Sequence, residues 1–131
     1  MSKTHLILKK TYTDEELEQR LSSADLMLIS LKKEWTGISV PSKYFSAIAI
    51  GKAVLFSGSE DSALSVWTRD FELGFQIQDN TINDVADILC EIANDPDMIS
   101  KIKENSFKTY QEVFSKKVIC DKWSNLLEET I

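Results

Sequence analysis

Two short apolar runs, neither containing a charge, Leu26-Met27-Leu28-Ile29 and Ala53-Val54-Leu55-Phe56, bracket a polar loop and a helix-like segment. A continuous apolar run of this length reads as a strand covered on both faces, as strands of parallel sheets are. The segment between them carries helix punctuation. Pro41, with its fixed φ and missing N–H, suits a first helical turn, Tyr44, Phe45, Ala47, Ile48 and Ala49 supply apolar faces, and Gly51 stops the helix. Strand, helix and strand in this order predict a right-handed crossover unit.

The alternation continues on either side. Leu6-Ile7-Leu8 is a short strand candidate, and Thr13 with Glu16 forms a capping box for a helix over 14–22, with Tyr12 and Leu17 placed as its hydrophobic staple. Ser57-Gly58-Ser59 reads as a loop, 62–68 as a short helix, and Gly74 as the turn into strand Phe75-Gln76-Ile77. Beyond it the chain is helical. Thr81 with Asp84 is a capping-box variant ahead of a stripe of Ile82, Val85, Ala86, Leu89, Ile92 and Ala93. Asp95-Pro96 starts a further helix, and a break near Ser115 precedes an amphipathic piece with Val118, Ile119, Trp123, Leu126 and Leu127. The expected fold is α/β, with a short, mainly parallel sheet of about four strands flanked by helices and a helical C-terminus.

At 131 residues, 43% hydrophobic and 27% charged, the chain fits one domain over 1–131 with a core of its own. No apolar run reaches the roughly 20 residues of a membrane span, and the first ten residues do not read as a signal peptide. A cytosolic location is expected. Cys90 and Cys120 fall within apolar helical patterns and read as buried free thiols; His5, the single histidine, has no companion at metal-ligand spacing. No metal is expected. Trp67 and Trp123, among apolar neighbours, read as packing residues.

The net charge of −6 argues against broad nucleic-acid or anionic-membrane binding. Its distribution is uneven. Between Lys32 and Lys52 four lysines (Lys32, Lys33, Lys43, Lys52) stand against one acid, Glu34, so this window is +3 and is the place for an anion. Ligands of parallel sheets sit beyond the strand C-termini, where the loops 31–39 and 57–61 should share one crevice. The amides from Ile38 to Lys43 offer donors at the helix start, and Lys43 a charge. Plain capping and solvated lysines give the same pattern. Trp35 either stacks on a sugar or base or covers the helix.

Taken in order, ADLMLISL, then E-x-x-G-x-S-x-P-S-K from Glu34 to Lys43, then S-A-I-A-x-G-K-A-V from Ser46 to Val54, resembles the nucleotide-sugar-binding half of GT-B glycosyltransferases of the type 1/type 4 group. The bacterial members that build polysaccharide and lipopolysaccharide chains are the nearest pattern. The resemblance implies a Rossmann-like, nucleotide-sugar-binding fold. It also implies a candidate catalytic Glu34, donor-phosphate contacts from Gly37, Ile38, Ser39, Ser42 and Lys43, and Ser46 at the ribose-side position where the family commonly has a glutamate. Ala53 stands where a proline is usual. The substrate would be a nucleotide sugar, with no cofactor or metal.

Leu6 to Leu8 matches the third strand of that family's donor domain. The first two strands and the whole acceptor domain are then expected to lie outside this chain. The resemblance accordingly implies a donor-binding portion of a hexosyl-transferring enzyme, without turnover by itself, and peripheral to the inner membrane through the other domain if at all. An acceptor domain or subunit is the expected partner, or self-association through an exposed sheet edge. Two alternatives stand beside it: the donor subunit of a two-chain glycosyltransferase, and a non-enzymatic α/β interaction module. A phosphorylatable receiver is disfavoured, since the first and central strands end without an acidic cluster.

Overall fold

The computed structural model describes residues 7–8 and 11–131. Helix α1 (Asp14–Ser23) is followed by strand β1 (Leu26–Ser30), a single 3-10 turn (Lys33–Trp35), α2 (Ser42–Ala49), β2 (Ala53–Ser57), α3 (Ala63–Asp70) and β3 (Gly74–Ile77). Helices α4 (Ile82–Asn94) and α5 (Pro96–Thr109), a π turn (Tyr110–Phe114) and α6 (Lys116–Thr130) complete the chain. The strands form one parallel sheet in the order β1-β2-β3. Three strands are present among the described residues, not about four. Ile7 and Leu8 belong to no strand and stand exposed, while Leu6 and His5 lie outside the described residues.

The register explains the core. Met27 pairs with Val54, Ile29 with Phe56, and these side chains share one face of the sheet. Against that face pack Tyr44, Ala47 and Ile48 of α2, Leu64 of α3 and Leu73. Consecutive strand order with right-handed crossovers puts α2 and α3 on the same side. Their contact is fixed by a buried hydrogen bond of 2.9 Å between Tyr44 Oη and Thr68 Oγ1. Outside it Phe45, Trp67, Phe71 and Phe114 form an aromatic layer, with Trp67 and Phe114 centroids 4.9 Å apart. The π turn ending α5 delivers Phe114 to that layer, and Ser115 then caps α6 by accepting from the Val118 N–H.

Sequence punctuation and structure agree at most helix ends. Thr13 and Glu16 form both halves of the capping box on α1, Ser62 caps α3, and Asp95 caps α5 ahead of Pro96. Pro41 stands one position earlier than expected, as the N-cap of α2. Thr81 does not cap α4: its Oγ1 accepts from the Gln78 N–H and donates to the Gln78 carbonyl, closing the preceding turn.

Burial corrects several readings. β2 is covered on both faces, but β1 is an edge strand whose Leu28 is 66% exposed, because nothing among the described residues packs on that side of it. Cys90 and Cys120 are free, as expected, but exposed, lying on outward sides of α4 and α6. Trp67 is a packing residue; Trp123 is 60% exposed, since α6 has no covering layer. No described helix is long and apolar enough to cross a membrane.

Candidate functional site

The loops leaving β1 and β2 meet at the C-terminal edge of the sheet. The Leu31 N–H donates to the Ser57 carbonyl at 2.9 Å, which ties the start of one loop to the end of the neighbouring strand. The second loop is held from below. Ser65 Oγ donates to the Ser59 carbonyl at 2.7 Å, and Gln78 Nε2 to the Gly58 carbonyl at 3.0 Å. Between the loops lies a crevice of about 200 Å³ lined by Leu31, Thr36–Val40 and Asp61–Leu64. The two loops therefore share one crevice, as the strand order predicts.

Local chemistry shapes the first loop. The Trp35 N–H and Thr36 N–H close the 3-10 turn onto Lys32 and Lys33 carbonyls, and the Trp35 carbonyl then accepts from both Ile38 (3.0 Å) and Ser39 (3.1 Å). That reversal passes through Gly37 at φ +80°, where a side chain would be strained although no atom lies within 4 Å to obstruct it. Two of the expected anion donors are thereby used internally. The N–H groups of Val40, Ser42 and Lys43 are taken by no turn or cap bond among the described residues, and Pro41 supplies no side-chain cap. Three open donors at the start of α2 are the arrangement that favours negative charge.

The structure distributes the predicted site residues unequally. Gly37, Ile38 and Ser39 line the crevice. Ser42 and Lys43 are exposed beside it, at the α2 start, outside its lining. Ser46 is exposed one turn further along, and its Oγ donates to the Ser42 carbonyl at 3.4 Å. Glu34 is exposed on the 3-10 turn and does not line the crevice; Trp35 beside it is likewise exposed.

The lysine-rich window does not act as one patch. Lys52 precedes β2, at the opposite end of the strand from the crevice, and its Nζ donates to the Ser22 carbonyl at 2.6 Å. Only Lys32, Lys33 and Lys43 stand toward the C-terminal edge. In the crevice lining the one charged side chain is Asp61, which the sequence reading did not single out. Ser62 beside it is buried, its Oγ accepting from the Ser65 N–H at 3.2 Å. The signal for both was the Ser62-x-x-Ser65 helix start, which places Asp61 at the loop end. Thr36 Oγ1 is buried without a hydrogen-bond partner.

Among the described residues no three His, Cys, Asp or Glu side chains gather as a metal site. Comparison of the chain with protein-family profiles, with curated proteins and with solved structures gave no match.

Proposed function

We propose that the protein is a Rossmann-like, donor-side domain that binds a nucleoside diphosphate sugar, of the kind used by GT-B glycosyltransferases of polysaccharide or lipopolysaccharide synthesis. One observation supports it above the others. The start of α2, with open N–H groups at Val40, Ser42 and Lys43 and the Lys43 ammonium, stands beside the crevice at the C-terminal edge of a parallel sheet.

Asp61 decides how a ligand lies there. Its carboxylate would repel a diphosphate placed inside the crevice, so the phosphates belong at the α2 start, near Lys43 and Ser42. The hydroxyl-bearing part of the ligand then takes the crevice, where Asp61 and Ser39 can bond it. Glu34, on the outer side of the loop, contributes only when an acceptor-binding partner closes over the site, and turnover requires that partner. An exposed helix start contributes about 0.3–1 kcal/mol toward an anion, whereas a preorganised donor in a closed cleft can contribute about 3 kcal/mol. Binding to this chain alone is accordingly weak and without catalysis.

Calorimetric titration with UDP and GDP tests the reading. Saturable binding is expected, with Lys43→Ala weakening it by a factor of about 2–5, in keeping with one exposed charge at a helix start. Absence of saturable binding, or an unchanged affinity in Lys43→Ala, overturns it and favours a non-enzymatic interaction module.

A further inference from the structure

Helix α6 spends fifteen residues without burying one. Its main packing among the described residues is onto the π turn that precedes it. A helix of about 12–15 residues is marginal in water when its stability must come from the backbone alone. Yet its sequence is patterned. Ile119, Trp123 and Leu126 follow one another at spacings of four and three, the seam of a helix pair, with Leu127 alongside, and all four are exposed.

The charges identify what covers the seam. Lys116 and Lys117 stand in the first turn and Glu128 and Glu129 in the last, with no acid at the start and no base at the end. This is the reverse of what the helix dipole favours. An antiparallel second copy removes the conflict, because the basic start of each helix then lies along the acidic end of the other. The flanks agree with that orientation. Lys122 and Glu129 sit one heptad apart on one side of the seam and are unpaired among the described residues; Cys120 and Leu127 occupy the other side.

In an antiparallel pair like flanks face each other. Lys122 of each copy then meets Glu129 of the other, Cys120 meets Leu127, and Trp123 packs in layers against Leu126. A parallel pair would instead stack Trp123 on Trp123 and set Lys116 against Lys116 within the seam. It would leave Lys122 opposite Leu127.

We propose that the protein self-associates through α6 as a two-fold antiparallel helix pair, with Trp123 and Leu126 at its centre and two Lys122–Glu129 ion pairs at its edges. The contact is independent of the nucleotide reading. A single pair of helices about 22 Å long is smaller than the standard stable interface. The expected dissociation constant is on the order of 10 µM.

Sedimentation equilibrium on the full chain tests the proposal. The unaltered protein should pass from monomer to dimer across the micromolar range. Lys122→Glu alone and Glu129→Lys alone each oppose like charges twice and should weaken self-association about tenfold. An equimolar mixture of the two variants restores opposite charges at both edges and should associate as tightly as the unaltered chain. Both substitutions are at exposed positions, and far-UV circular dichroism checks that helix content is kept. A monomer at all concentrations, which would leave the seam to a different partner, overturns the proposal. So does a mixture that associates no better than either variant alone.

Discussion

The Tyr44–Thr68 hydrogen bond is the single polar link between α2 and α3 inside the core, and its removal has a calculable cost. Both residues are essentially inaccessible, at 0% and 1% exposure, and the oxygens are 2.9 Å apart. Tyr44→Phe deletes the phenolic oxygen without opening a cavity, but it strands Thr68 Oγ1 away from water. An unsatisfied buried polar group costs about 1–3 kcal/mol, more than the net value of about 0.5–1.5 kcal/mol for a made bond. Thr68→Val strands the tyrosine hydroxyl in the same way. The double variant replaces both partners with apolar groups of similar shape, so it should be within about 1 kcal/mol of the unaltered protein. Urea unfolding followed by far-UV circular dichroism gives the three free energies and hence the coupling. Strict additivity of the two single losses, or a Tyr44→Phe loss below about 0.5 kcal/mol, would refute the reasoning. The same burial pushes the Tyr44 phenol up to about 12, desolvation outweighing the Thr68 bond. A folded pKa above the ordinary value of about 10 means a contribution present in full below pH 10 and lost as pH rises toward 12. Tyr44→Phe should remove that share of the alkaline loss.

Two further outcomes separate backbone from side-chain effects. At Gly74, φ is +155° and an added Cβ would come within 1.8 Å of the Val54 carbonyl oxygen, so Gly74→Ala should cost about 3 kcal/mol or more by forcing β3 from β2; Gly37→Ala, with open space around it, should cost about 1 kcal/mol. Equal losses in a denaturant titration would contradict the geometry. Lys103, 2.8 Å from Asp25, holds that carboxyl below its usual value through the hydrogen bond first and the charge second. This depressed group stabilises the fold above about pH 4 and ceases to as pH falls through its folded value. Because Asp25 is largely exposed, Asp25→Asn should cost no more than about 0.5 kcal/mol at pH 7, and the cost should fall as pH drops below about 4 and shrink in high salt.

The elements were legible where local chemistry and tertiary packing agree. β2 is an uncharged apolar run, and it is covered on both faces; Thr13, Ser62 and Asp95 cap helices because no other hydrogen bond claims their side chains, and Ser115 caps α6 while its hydroxyl also donates to the Gln111 carbonyl at 3.1 Å. The misreadings share a cause. Leu28, Cys90 and Trp123 lie in patterns whose periodicity says which residues share a face, but periodicity is silent on whether anything covers that face. Among the described residues β1 pairs with one strand and α6 packs mainly on the π turn, and both facts are properties of topology. Thr81 failed as a cap because Gln78, three residues earlier, offers its hydroxyl both an N–H and a carbonyl.

At the candidate site the sequence located the edge of the sheet correctly and misjudged its charge. Counting Lys32 to Lys52 as one basic window ignores that β2 begins at Ala53, so Lys52 sits at the strand end remote from the loops. Counting amides from Ile38 to Lys43 ignores that Gly37 folds Ile38 and Ser39 back onto the Trp35 carbonyl. What survives is narrower: three donors and the Lys43 ammonium at the start of α2, Lys32 and Lys33 toward the same edge, and Asp61 in the crevice lining. Solvent-exposed ammonium groups set against a carboxylate hold a multiply charged ligand only weakly by charge. In the proposed function the site orients one, phosphates toward α2 and hydroxyls toward Asp61. On that proposal tight binding comes from a partner that closes over the exposed side of the crevice, where Ile38 presents apolar surface to solvent, with Trp35 exposed on the neighbouring 3-10 turn.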